Sequence, residues 1–268
     1  MSTAPEDRAR DLPLFFAIVF GSTWLLQLPA ILVQRGLIPG PIEPYMPLVV
    51  LGYFVPAIAA LLLARRRAGG VGALVRPFGK FRVSPGWYVA AATHSAAILM
   101  MGMVLARLVG GLEMGDAVYP PSAAQLAAMV VIPFTEQLPW RGFVYPPLER
   151  RMGPLAASIV TGTAWGLFHL QKQALFGSGL APAVALWLLL LMIGGTVVYT
   201  WIYRRTGSMF LVVVANAGVY LNNPVQALPS NVVPLAVLAL GYCAAAALLC
   251  FIDRPTWSMT APAAAATA

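Results

Sequence analysis

One carboxylate stands where apolar sequence surrounds it on both sides. Eight of the nine acidic residues fall at termini, in loops or at the ends of apolar runs; Glu136 alone lies well inside one, in VVIPFTEQLPWRGFVY. A charge at the centre of a membrane helix costs about 2.5–3.5 kcal/mol on insertion scales, so such a group faces a protein interior or a wet cavity. Pro133 and Pro139 bracket it. Each proline removes a helix hydrogen bond, and Pro139 frees the carbonyl of Thr135 beside Glu136. Irregular backbone at that depth survives only where protein or water satisfies it, so this stretch is expected to line a cavity. Gln137 and Arg141 are i,i+4 neighbours on one face, whereas Glu136 and Arg141 align only if the proline kink rotates the turn. A purely structural Glu–Arg pair joining two helices is the competing reading.

Both histidines, His94 and His169, also sit in apolar runs. His169 ends WGLFHL at a depth comparable with Glu136, where an intramembrane histidine is either an interhelical hydrogen bond or a functional partner of that carboxylate. His94, among small residues in AATHSAA, reads as an interhelical hydrogen bond. Asn216 and Tyr220 are i,i+4 on a later run and share a face; asparagine in a membrane helix is expected to point inward to a partner. With two histidines and no HExxH or CxxC, a catalytic zinc is not expected, and no cofactor is implied. Cys243 and Cys250, seven apart in one apolar run, read as packing residues.

The elements that must position these groups follow from composition. Of 268 residues, 60% are hydrophobic and 10% charged, against about 25% charged in soluble domains. Too few polar groups are present to cover a water-soluble fold. Apolar runs extend over Leu12–Val33, Met46–Ala64, Trp87–Val109, Ala123–Tyr145, Leu155–Leu170, Pro182–Tyr203, Ser208–Leu221 and Val232–Ile252. They predict an all-α, polytopic membrane bundle of about eight transmembrane helices, forming one membrane-embedded domain over 1–268. The first run is too long for a signal peptide and lacks a clear cleavage site, so it reads as a retained helix. The alanine-rich tail 261–268 is expected to be disordered.

With both termini in the cytoplasm of an inner (plasma) membrane, all of the 17 basic residues except Arg35, Arg107 and Lys172 fall on inner segments, the densest being Arg65–Arg82. That is the positive-inside pattern. The net charge of +8 is therefore assigned to anionic lipid. No basic stripe interleaved with aromatics exists, so nucleic acid is excluded as a partner.

Glu136-Gln137-Leu138-Pro139-Trp140-Arg141, then Trp165-Gly166-Leu167-Phe168-His169, then Asn216 and Tyr220 in GSMFLVVVANAGVYL, together resemble the CAAX prenyl protease and bacteriocin-processing (CPBP, Abi) family of intramembrane peptidases. The family pattern is EExxxR, then FxxxH or a relative, then HxxxN or HxxxD, and the likeness covers about 123–221. Gln137 stands where the family has its second glutamate, so the resemblance turns an ion pair with Arg141 into a neutral hydrogen bond. Asn216 and Tyr220 replace histidine and asparagine. The resemblance implies a glutamate-dependent endopeptidase in which Glu136 and His169 activate water against a membrane-embedded or membrane-proximal peptide. Asn216 and Tyr220, both hydrogen-bond donors, would then meet the oxyanion. A prenylated substrate is implied by the resemblance alone. Two other readings stay open: a catalytically weakened relative acting as membrane scaffold, immunity or regulatory protein, and a small transporter using Glu136 as a proton site. The transporter would favour inverted repeats, and none is convincing.

Overall fold

The computed structural model describes residues 7–110, 123–176, 181–222 and 232–258; the tail 261–268 lies outside them. Every described regular element is helical. α1 (Asp7–Gln34) and α2 (Met46–Ala64) form an antiparallel pair, followed by short α3 (Gly70–Val75) and by α4 (Pro85–Gly110). α5 (Ala123–Gln137) passes through a π-helical stretch, Leu138–Val144, into α6 (Tyr145–Met152). Then come α7 (Pro154–Phe176), α8 (Pro182–Thr206), α9 (Met209–Asn222) and α10 (Val232–Ile252). The eight apolar runs thus all appear as helix, but the fourth breaks at Gln137. Among the described residues, four helices are long and apolar enough to cross a membrane: Asp11–Gln34, Glu43–Ala64, Pro182–Thr206 and Leu235–Ile252; Met209–Tyr220 is a shorter apolar helix.

The most extensive packing joins α7 to α8, α8 to α10, α4 to α9, and α1 to α2. Small residues make these approaches possible, as expected where helices have no hydrophobic drive to associate. On α7, Gly162 and Gly166 lie four apart and face α8. A Cβ at Gly162 would meet the Ile193 Cα at 2.7 Å, and one at Gly166 would meet a Leu189 methyl at 2.8 Å. On α9, Gly218 lets α4 close in, and Ser95 donates to the Gly218 carbonyl at 2.9 Å.

The α1–α2 joint shows how a proline is accommodated. Pro56 cannot donate to the carbonyl of Gly52, and Thr23 on α1 donates to it instead at 3.2 Å. One turn away, the buried Gln27 amide donates to the Val49 carbonyl at 3.1 Å. At the far end of α1, Arg35 donates to the carbonyl of Gln173 at 3.1 Å and to that of Ala174, two of the last carbonyls of α7 that lack a partner within the helix. On the opposite side, Arg204 pairs with Glu149 and donates to the carbonyls of Thr256 and Ser258, pinning the segment after α10.

Candidate active site

Glu136 is the last residue but one of α5, and the backbone changes register directly after it. Pro139 has no N–H for a regular turn. The chain widens into a π-helix, closed by an N–H of Tyr145 bonding five residues back to Trp140. Such bulges concentrate at functional sites because they re-aim side chains. Around Glu136 the structure gathers groups from two further helices. Asn216 of α9 donates through Nδ2 to Glu136 Oε2 at 2.7 Å, and Tyr220, one turn on, donates to Oε1 at 3.0 Å. From α7, His169 Nε2 faces Oε1 at 3.6 Å, too long for a direct hydrogen bond and a distance at which a bridging water is the natural question. His169 Nδ1 is buried without a partner. Glu136, His169, Asn216 and Tyr220 therefore come together at one point, although 84 residues separate the outermost two.

Gln137 and Arg141 are placed differently from the sequence expectation. Both are buried, but neither polar atom of the Gln137 amide has a partner, so the Gln137–Arg141 hydrogen bond does not form. The π-helix turns Arg141 toward α7 and α8. There Nη2 donates to Thr196 Oγ1 at 2.8 Å, and the guanidinium lies 4.4 Å from the ring centre of Trp165 and 4.8 Å from that of Tyr199. Cation–π contact of this kind holds a desolvated guanidinium over an aromatic face. Arg141 makes no ion pair with Glu136 within 4 Å, so the structural Glu–Arg staple is also not what the geometry shows.

Tyr199 on α8 is the member that sequence reasoning missed. Its hydroxyl donates to Asn216 Oδ1 at 3.4 Å, leaving the Asn216 NH₂ turned to Glu136. The signal was present: Thr196, Tyr199 and Thr200 recur at i,i+3,i+4 in an apolar run, a polar stripe on one helix face. His94 bonds the Ala91 carbonyl at 2.7 Å and the Tyr242 hydroxyl at 3.1 Å, an interhelical contact outside the Glu136 cluster. Among the described residues, no three histidine, cysteine or acidic side chains lie close enough to hold a metal ion.

Residues 120–221 match the family model described as type II CAAX prenyl endopeptidase Rce1-like. That segment spans α5 to α9 and brings every residue of the cluster within it. It coincides with the stretch over which the sequence resembles the CAAX prenyl protease and bacteriocin-processing family, and the match upholds that reading. No curated protein matches the chain. Residues 120–221 are thus similar to the CAAX prenyl endopeptidases of that family, and the described residues include apolar helices long enough to cross a membrane.

Proposed function

We propose that the protein is a glutamate-dependent intramembrane endopeptidase that hydrolyses a peptide bond of a membrane-embedded or membrane-proximal substrate. The observation that carries this reading is the convergence of Glu136, His169, Asn216 and Tyr220 from three helices onto one carboxylate. A water lodged between Glu136 and His169 gives its proton to Glu136 as its oxygen bonds the peptide carbonyl carbon. Asn216 and Tyr220 hold the charged carboxylate at rest. As negative charge moves from Glu136 to the substrate oxygen, the same two donors follow it and stabilise the tetrahedral oxyanion. The proton on Glu136 then passes to the departing amine nitrogen as the C–N bond breaks. Tyr199 keeps the Asn216 amide facing the right way, and Arg141 supplies a fixed positive charge behind the site.

Cleavage of membrane-anchored peptide reporters by the purified protein tests this. Glu136→Gln is expected to abolish turnover while leaving the bundle folded by circular dichroism, and full activity in that variant sinks the reading. The alternative, a scaffold, immunity or regulatory protein, draws on the departures at Gln137, Asn216 and Tyr220 and on a carboxylate already occupied by two donors. It is favoured if the wild type cleaves nothing across a broad reporter set.

The same reading has the chain cross the plasma membrane about eight times, with both termini and the segment Arg65–Arg82 in the cytoplasm. Cysteine labelling checks this: modification of a cysteine at Gly79 by an impermeant reagent from outside would reverse the orientation.

A further inference from the structure

The α1–α2 face carries a groove that the proposed chemistry does not use. Its volume is about 430 Å³, within the roughly 300–1,000 Å³ of ligand sites. Leu14, Ile18 and Ser22 form one wall, Ile58 and Leu62 the other, and Arg66 stands at one end. Leu14, Ile58 and Leu62 are exposed, so the groove opens outward, toward the bilayer. From Leu14 to Ser22 is about 12 Å at 1.5 Å per residue, close to half of the ~30 Å hydrocarbon core. The slot is one leaflet deep.

The arginines that follow α2 differ in what they meet. Arg67 turns inward: it pairs with Asp11 at 3.1 Å, donates to the Phe143 carbonyl at 3.1 Å and lies 3.4 Å above the Phe143 ring. Arg66 is exposed and makes no ion pair among the described residues. A guanidinium with free donors is suited to bidentate binding of a phosphate.

We propose that this groove binds an anionic glycerophospholipid of the surrounding bilayer, one acyl chain lying between α1 and α2 and the phosphate resting on Arg66. The length of one leaflet and the cation at the headgroup end favour this occupant over an isoprenoid chain or a second copy of the protein, neither of which brings an anion. The inference rests on the membrane setting and is independent of the peptidase reading.

Native mass spectrometry of the full chain, released from detergent with equal amounts of phosphatidylglycerol and phosphatidylcholine, tests it. The expected result is one phosphatidylglycerol retained at activation energies that strip phosphatidylcholine. Arg66→Ala should weaken that retention about fivefold, the contribution of one basic residue near an anionic surface. Ser22→Trp, which fills the slot and leaves Arg66 intact, should abolish it. Arg151→Ala, an exposed arginine on α6, should leave it unchanged. Equal retention of both lipids overturns the proposal, as does equal loss in Arg66→Ala and Arg151→Ala, or full retention in Ser22→Trp. Displacement of the phospholipid by a neutral isoprenoid alcohol, or by dimer formation, would assign the groove to those occupants instead.

Discussion

Prolines fall within several helices of this protein, and the surroundings of two of them, Pro56 and Pro139, treat the break in opposite ways. In α2, Pro56 leaves the Gly52 carbonyl free, and Thr23 on the neighbouring helix takes it. The result is a closed joint in which Gln27 adds a second bond across the same seam. Directly after α5, Pro139 sits in a π-helix, and around it buried polar atoms go without protein partners: both ends of the Gln137 amide, two guanidinium nitrogens of Arg141, the Trp165 indole N–H and His169 Nδ1. Buried donors and acceptors are normally satisfied. Six such atoms cluster beside Glu136, whereas along the α1–α2 seam the two bonds made by Thr23 and Gln27 leave the Gln27 Oε1 over. The same residue type thus makes a bonded joint in one place and a change of helical register in the other.

The contrast is sharpest in turnover. His169→Ala is expected to cost about 10²–10⁴-fold in kcat. Asn216→Ala, which removes one donor that should move to the oxyanion, is expected to cost about 10²–10³-fold with little change in KM. Asn216→His should keep or raise activity. If Asn216→Ala instead changes KM alone, Asn216 binds substrate and leaves the oxyanion to other donors. The two prolines separate next. Pro139→Ala restores an N–H and lets a regular turn form, rotating Arg141 away from Thr196; a misplacement of this order costs about 10²-fold. Pro56→Ala should leave kcat unaltered, and equal kcat losses in the two variants would erase the distinction. The smallest effect is confined to stability. A Cβ at Gly52 comes within 2.7 Å of Gln27 Nε2, so Gly52→Ala should destabilise the bundle by about 1–3 kcal/mol, read by thermal unfolding in detergent, with turnover per folded molecule preserved.

Much of this was legible in the chain. Hydropathy alone located helix over each of the eight apolar runs, because a polar backbone in lipid has few alternatives, and the isolation of Glu136 in apolar sequence pointed to the cluster that Asn216, Tyr220 and His169 complete. What hydropathy could not show was register. The π-helix after Gln137 changes which way Arg141 points without altering how apolar the run is, so its partner turned out to be Thr196, with Gln137 left unbonded. Tyr199 escaped for a related reason: a tyrosine in an apolar run reads as packing until the helix that faces it is known. Helix length was legible only in part, since among the described residues four helices meet the length and hydropathy of a span and α9, which brings Asn216 and Tyr220, is shorter.

The glycine pair on α7 has a consequence for how this protein can change over time. Gly162 abuts Thr196, whose hydroxyl a Cβ there would reach at 3.0 Å, and Thr196 is the group that receives Arg141. Gly166 lies three residues before His169 on the same helix. Any side chain larger than hydrogen at either position lifts the helix bearing the histidine away from the helix bearing Thr196 and Tyr199. The tolerance of the Glu136–His169 cluster is thus written partly in positions that have no side chain and nothing smaller to drift toward.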